Sequence, residues 1–416
     1  MPSAASTPAA VSIAPARAPR LVSLDALRGF DMFWILGADA VIHRMSAATG
    51  VPPFTFLARQ FDHKAWAGLT FYDLIFPLFL FVVGVSLVFS LARTLEQHGR
   101  AAAVKRILVR GAVLFLLGIF YNGGLTNPWP DVRLTGVLQR IAVVYAATGL
   151  LFCFFQPRML ARIGVVLLAG YWALLSFVPL RPVQLDRSLL PAQMGTSIMP
   201  TIAEARAFYE ATGDRRVTGG YLPGLNLANH LDFEFLPGRK YDLYWDPEGL
   251  LSTLPAIATC LFGVFAGLLL RRLDLSDRDK LSRLLIAGCL ALALGWLWHL
   301  QFPVVKKIWT SSFVLVTGGW SLLLLAGFYY VVDVRGWRGW CQPLVWIGMN
   351  PITLYVVKNI LSFPRTAQRF AGGDVRVFFD RVFSPGTGDL VVELVSLALT
   401  LLLAWFLYRR QIFLRV

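Results

Sequence analysis

The sequence predicts an all-α membrane protein: a polytopic transmembrane helical bundle of about ten spans, with both termini in the cytoplasm. Three observations predict it. AVILMFWYC residues make up 56% of the 416-residue chain and charged residues only 15%, where a soluble protein carries roughly 25%, and no soluble core of this length absorbs so much apolar side chain. The apolar residues are gathered into long runs without the alternation of barrel strands. The 39 Lys and Arg, which outnumber 24 acids, fall between those runs, as cations do at the cytoplasmic ends of membrane helices.

The apolar segments follow one another at 29–47, 69–91, 108–121, 134–155, 163–180, 251–270, 284–301, 309–332, 343–361 and 389–408. Most approach the roughly 20 residues that cross about 30 Å of hydrocarbon, and backbone groups in lipid must bond within their own segment, so each is a helix. Asp31 and Asp39 interrupt the first. In the second, Pro77 removes a helix N–H and is expected to bend it. The third is short and extends backward through Ile107 and Arg106, with Arg106 snorkelling to the interface. Ahead of them, residues 1–19 read as a disordered cytoplasmic lead with no cleavable apolar core. Residues 20–416 read as a single transmembrane domain, with 181–250 a large periplasmic loop between spans five and six. That loop carries Pro-Gly turns at 223–224 and 237–238 and is small for an independent domain, so it is expected to form a lid or wall.

With the N-terminus inside, nineteen basic residues flank the spans on the cytoplasmic side and nine on the other, the long loop being left aside. The basic residues form no single patch, which argues against nucleic acid as the partner of a chain with net charge +15. Cys153, Cys260, Cys289 and Cys341 share no metal-ligand spacing, and no zinc motif or GxSxG occurs, so a metal site and an ordinary serine hydrolase are not expected.

Ionisable residues within spans default to a functional reading. Asp39 lies near the midplane of span one, Asp73 near the start of span two, and Arg140 six residues into span four. Asn350 stands beside Pro351 in span nine, and Lys358 follows toward the opposite half. Mutual pairing of Asp39, Asp73 and Arg140 to hold the bundle is the plainer alternative. His63, immediately before span two, is suited to taking and returning a proton near neutral pH. His230 is a weaker second candidate and His43 stands near the same mouth. On the inner side, Ser23 is placed to cap a helix, Asp25 and Arg28 share a helical face, and Arg28, Lys105 and Arg106 with Arg20 form a basic rim suited to a phosphorylated ligand, though the positive-inside bias by itself accounts for most of that charge.

The blocks Ser23-Leu24-Asp25-Ala26-Leu27-Arg28-Gly29, His63-Lys64-Ala65-Trp66-Ala67-Gly68-Leu69-Thr70 and Asp73-Leu74-Ile75-Phe76-Pro77 resemble the heparan-alpha-glucosaminide N-acetyltransferase family of the transmembrane acyltransferase superfamily. So do Leu138-Gln139-Arg140, Asp246-Pro247-Glu248-Gly249-Leu250 and Gly348-Met349-Asn350-Pro351-Ile352. The resemblance implies transfer of the acetyl group of cytosolic acetyl-CoA to the amine of a terminal glucosamine across the membrane, with the family's essential histidine at His63. It also implies a bacterial inner-membrane branch, some of whose members are regarded as transporters. The chain departs from the lysosomal pattern in lacking the luminal N-terminal domain and its extra span, in having no cysteines in its outer loop, and in a first-span asparagine replaced most plausibly by Asp39.

The expected function is a membrane acyltransferase carrying acetyl from acetyl-CoA to an amino sugar on the periplasmic side. His63 is the expected base or transient acyl carrier, Asp73 or Asp62 its orienter, and Arg140, Asn350 or a backbone N–H the oxyanion stabiliser, with Asp39 in the same polar set. Ser23, Asp25, Arg28, Lys105 and Arg106 are expected at the CoA end; Asp246, Glu248, Trp66 and Lys358 are expected at the acceptor. Membrane lipid, acetyl-CoA as co-substrate and an amino sugar or glycan are the expected partners, and a homodimer stays open. The alternative is an inner-membrane transporter of N-acetylglucosamine or related sugars, which accounts equally well for the spans and their buried polar groups.

Overall fold

The computed structural model describes residues 21–413. The expected disordered lead 1–19, together with Arg20 and Arg415, lies outside the described residues. Helix α1 (Val22–Phe33) begins with N–H groups that need an acceptor. Ser23 does not supply it, in contrast to the cap expected of it. Instead Asp333 accepts from the Val22 and Ser23 N–H groups at 3.2 Å each, which sets a carboxylate on the positive end of the helix. A π-helical turn at Trp34–Ala38, with Gly37 at φ +130°, leads into α2 (Asp39–Thr49), and α3 (Pro52–Gln60) follows. At that turn Lys358 donates to the Ile35 carbonyl.

Helix α4 (Phe71–Tyr121) has 51 residues, which would run about 76 Å if straight. Gly99, at φ +77°, breaks it. Arg106 donates to Thr94 Oγ1 at 2.8 Å, where a straight helix would hold residues twelve apart about 18 Å from one another. The chain therefore doubles back at Gly99. The helix passes unbroken through Pro77, so the break falls at the glycine and not at the proline.

Next come α5 (Val137–Phe154) and α6 (Pro157–Phe177), then α7 (Leu190–Gln193), α8 (Ile202–Ala211) and α9 (Leu227–Phe235) of the long loop. Helices α10 (Thr253–Arg271), α11 (Asp277–His299) and α12 (Ser311–Phe328) return to the bundle. Helices α13 (Gln342–Met349) and α14 (Pro351–Leu361) meet at 81° across Asn350. Two short amphipathic helices, α15 (Phe363–Ala371) and α16 (Asp374–Val382), precede α17 (Thr387–Arg409).

Among the described residues seven helices are long and apolar enough to cross a membrane, or eight when α13 and α14 count as one span. The protein is thus an all-α polytopic membrane bundle. The number falls short of the ten apolar segments because α4 takes in two of them, 69–91 and 108–121, and because the first is split by its π turn into pieces too short to count alone. Helices α4 and α10 form the centre. A Cβ on Gly84 would lie 2.0 Å from the Cys260 carbonyl oxygen, and one on Gly263 would lie 1.9 Å from that of Phe81, so the two glycines let the backbones touch. Rim helices α6, α11 and α17 leave Val165, Val166, Leu290, Leu294 and Leu402 exposed, as a lipid-facing surface requires.

The segment 181–250 has a small core of its own, built on Val183, Leu185, Tyr209, Phe233, Tyr244 and Trp245. It is tied to the bundle through Trp66, whose indole N–H donates to the Tyr221 carbonyl at 2.7 Å and whose ring meets Trp245 edge-on.

Candidate active site

The turn between α3 and α4 places His63. Thr70 caps α4 in a box with Asp73, whose Oδ2 accepts from the Thr70 N–H at 3.2 Å and the Thr70 hydroxyl at 3.0 Å. The Lys64 N–H donates to the same oxygen at 3.2 Å. Asp73 is fully buried, and its other oxygen, Oδ1, lies 2.8 Å from His63 Nδ1. One carboxylate therefore starts a helix, folds the preceding turn and orients the imidazole. Tyr72 stacks on the imidazole with ring centroids 4.8 Å apart, and its hydroxyl donates to Asp39 Oδ2 at 2.8 Å. Asp62 lies against His43 instead, at 3.7 Å.

His63 stands at the mouth of a cavity of about 590 Å³. Lys64, Arg133, Glu248, Lys306 and Lys307 share the mouth, and Met32, Phe76, Phe79, Ile141, Ile352 and Tyr355 form the apolar depth. Lys306 Nζ is 3.3 Å from Asp73 Oδ1, and 3.0 and 3.4 Å from the two ring nitrogens of His63. Burial holds its ammonium below the ordinary lysine range, against the opposing pull of Asp73.

Across the mouth, Arg133 grips Asp246 through two hydrogen bonds of 2.9 Å and reaches Glu248 at 3.1 Å. The exposed Tyr241 ring covers the guanidinium at 5.1 Å. Burial works to raise the Asp246 carboxyl, but the bonds and charge of Arg133 hold it below the usual range. Burial, and then the charge of Asp246, push Glu248 well above that range. Asp232 is raised to about 7 by burial, and it accepts from the Leu250 N–H at 2.9 Å, anchoring the turn that carries Glu248.

The sequence-derived residues divide as follows. His63 and Glu248 line the cavity, Asp73 reaches it through His63, and Asp39 stands behind Tyr72. Arg140 does not line it: its Nη2 donates to the Pro247 carbonyl at 2.9 Å and to Ser252, under the Trp309 ring. Asn350 sits at the α13–α14 break and donates to the Ile412 carbonyl at 2.9 Å. Asp246 is sealed behind Arg133, Trp66 pins the long loop, and Lys358 is committed to the Ile35 carbonyl. Mutual pairing of Asp39, Asp73 and Arg140 does not occur, since each has other partners.

Far down α4, Arg28 bonds to Asp25 at 3.3 Å, to the Gly348 carbonyl at 3.0 Å and to Ser86 at 2.6 Å. Arg106 meets α4 at Thr94, about 12 Å further along the helix than Ser86, and Lys105 beside it is exposed. Ser23 is buried with no partner for its hydroxyl among the described residues. The basic rim is spread out, with Arg28 built into helix packing.

Sequence reasoning missed Tyr72, Arg133, Tyr241 and Lys306. The signal for Lys306 is the pair Lys306-Lys307 in a short link between two apolar runs, a pair that the sequence alone offers only as flanking charge. His230 is buried inside the long loop, with Nδ1 3.0 Å from the Tyr209 hydroxyl and Nε2 3.0 Å from the Val183 carbonyl oxygen. Among the described residues no group of three or more His, Cys, Asp or Glu is disposed to hold a metal ion.

A family model described as heparan-alpha-glucosaminide N-acetyltransferase, catalytic, matches residues 20–193, which contain His63, Asp73 and Tyr72. The heparan-alpha-glucosaminide N-acetyltransferase of Homo sapiens is 28% identical over 442 residues, covering 96% of this chain and 60% of that protein. Its Mus musculus counterpart is 27% identical over 397 residues, covering 86% of this chain and 56% of that protein. The chain thus spans about 60% or less of the length of these relatives. It is a polytopic membrane protein distantly homologous to a family of acetyltransferases.

Proposed function

We propose that the protein is a transmembrane N-acetyltransferase that carries the acetyl group of acetyl-CoA to the amine of an amino sugar on the opposite face of the membrane. The observation that carries this reading is the His63–Asp73 pair, 2.8 Å apart, at the mouth of a deep cavity. With its Nδ1 proton committed to Asp73, the imidazole presents the Nε2 lone pair as a base. His63 takes the acceptor's proton as the amine nitrogen attacks the thioester carbonyl, and Asp73 offsets the imidazolium charge. Glu248 and Tyr241 hold the acceptor across the mouth.

CoA enters at the end marked by Arg28, Lys105 and Arg106, with Asp25 and Ser23 beside it. Ser86, the partner of Arg28, stands about 22 Å along α4 from Phe71, the depth the donor arm must reach. We read the chain as crossing ten times, counting the two arms of α4 separately and α1 through α2 as one crossing. Both termini and 271–283 then face the cytoplasm of a bacterial inner membrane, while His63 and 181–250 face the periplasm. Cysteines at Ser276 and Thr218 should label from opposite sides of an intact membrane, and labelling of both by an impermeant reagent from one side would overturn this orientation.

The test of function is acetyl transfer from acetyl-CoA to glucosamine by the purified protein. Wild type should transfer, and His63→Ala should lower the rate by about 10²- to 10⁴-fold with CoA binding retained. Turnover of the Ala protein within about threefold of wild type removes His63 from the mechanism. An acyl-histidine trapped with acceptor withheld would make His63 a carrier. Sugar counterflow without acetyl-CoA, in a protein that transfers nothing, would replace this reading with transport.

A further inference from the structure

We propose that Lys306 is a catalytic residue of this site, the group whose ammonium receives the oxyanion formed when the thioester carbonyl is attacked; the proposal rests on the acetyl-transfer reading above.

Three observations carry it. Lys306 is the cation in contact with both members of the dyad, 3.3 Å from Asp73 Oδ1 and within 3.0 to 3.4 Å of the His63 ring nitrogens. An ammonium has three donors; Asp73 takes one, and the side of Nζ that faces the His63 ring is where an atom reacting beside Nε2 arrives. The donors expected from sequence stand elsewhere: Arg140 does not line the cavity and lies at the Pro247–Ser252 turn against Trp309, with its Nε and Nη1 unpartnered among the described residues, and Asn350 donates to the Ile412 carbonyl.

The link that carries Lys306 is held rigidly against the His63 turn. The Gly68 N–H donates to the Val304 carbonyl at 2.8 Å, and Ala67 pairs with Val305. The Val305 N–H donates to Thr310 Oγ1 at 3.0 Å, and the Trp309 N–H donates to the Lys306 carbonyl at 2.9 Å. Val304, Val305, Ile308 and Trp309 are buried around it. A donor fixed before reaction needs no reorganisation when charge develops, which is the condition under which such a group is most effective.

Charge is compensated at each stage. At rest the Lys306 ammonium and the Asp73 carboxylate offset one another beside a neutral imidazole. The amine nitrogen then forms its bond to the acetyl carbon, and the carbonyl π pair moves onto oxygen as the amine proton passes to His63 Nε2. Asp73 now faces the imidazolium and Lys306 the oxyanion. When the carbonyl re-forms, the carbon–sulfur bond breaks, and the leaving thiolate takes the proton back from His63. No oxidant, reductant or metal enters the balance.

The experiment uses the full chain in detergent or nanodiscs and compares Lys306→Met and Lys306→Arg with wild type. Acetyl transfer from acetyl-CoA to glucosamine is measured beside CoA affinity by calorimetry. Lys306→Met should lower kcat by about 10²- to 10³-fold while CoA affinity stays within about threefold, and Lys306→Arg, which restores the cation, should recover at least tenfold of the loss. A Met variant with kcat within threefold of wild type overturns the proposal. So does a loss carried wholly by weaker CoA binding, or an Arg variant no better than Met. An active wild type with an indifferent Lys306→Met sinks this inference alone; a wild type that transfers nothing sinks the functional reading and this inference with it.

Discussion

Two histidines in this molecule have an acid and a tyrosine at hand, and they are put to opposite uses. His63 has Asp73 on one ring nitrogen, Tyr72 on its face and the cavity before it, with its side chain 53% exposed. His230 has Tyr209, itself bonded to Glu234, but it is 3% exposed and both of its nitrogens are taken by oxygens of the long loop. Burial lowers the His230 imidazole to about 4, against the opposing effect of its bonds to backbone carbonyls. The difference is access: the His63 ring faces the cavity, with the Lys306 ammonium 3.4 Å from Nε2, while both nitrogens of His230 are sealed in the loop core. A histidine with no spare nitrogen fastens a core; one with a carboxylate on one side and space on the other can move a proton.

The largest break in that comparison is at His63. His63→Ala should lower transfer by about 10²- to 10⁴-fold, whereas His230→Gln should leave the rate per folded molecule within about twofold. Equal losses in both, in protein of unchanged stability, would mean that access to the cavity is not what separates them. Asp73→Asn comes next. It keeps the shape but offers the imidazole no anion, and an effect of about 10²- to 10⁴-fold on kcat is expected from loss of the carboxylate–imidazole pairing. Because Asp73 also caps α4, its melting temperature should be recorded beside the rate, and a change in stability alone would make Asp73 only a cap.

His230 supplies the third prediction through pH. Its folded-state proton affinity is lowered, so below the unfolded value near 6.5 the unfolded chain binds a proton that the folded loop refuses. Stability held at neutral pH is therefore lost as pH falls from about 6.5 toward 4, by on the order of 3 kcal/mol, and His230→Gln should flatten that slope. Thermal unfolding followed at several pH values in this window checks it; identical slopes for both proteins would contradict the assignment. The smallest effect is at Asp31, buried with neither carboxylate oxygen partnered among the described residues and not lining the cavity. Asp31→Leu should raise stability by about 1–2 kcal/mol, read as a higher melting temperature with transfer unchanged. A loss of transfer would give Asp31 a role in function.

By itself the sequence determined the membrane class, the apolar helical segments and the place of His63 immediately before one of them. Each of these is a local matter: hydrocarbon thickness sets the length of an apolar run, and a backbone in lipid must bond within its own helix. The Thr70–Asp73 box is local too, three residues apart on one helical turn. What only the tertiary structure decided is who shares the cavity. Lys306 meets His63 across 243 residues, Arg133 meets Asp246 across 113, and Lys358 turns to a carbonyl beside a π turn that no periodicity foretold. Arg140 and Asn350 looked like site residues because a polar group within a span must serve some purpose. Here Arg140 donates to the Pro247 carbonyl and Asn350 to the Ile412 carbonyl, and which carbonyl a buried donor finds depends on how helices distant in sequence pack.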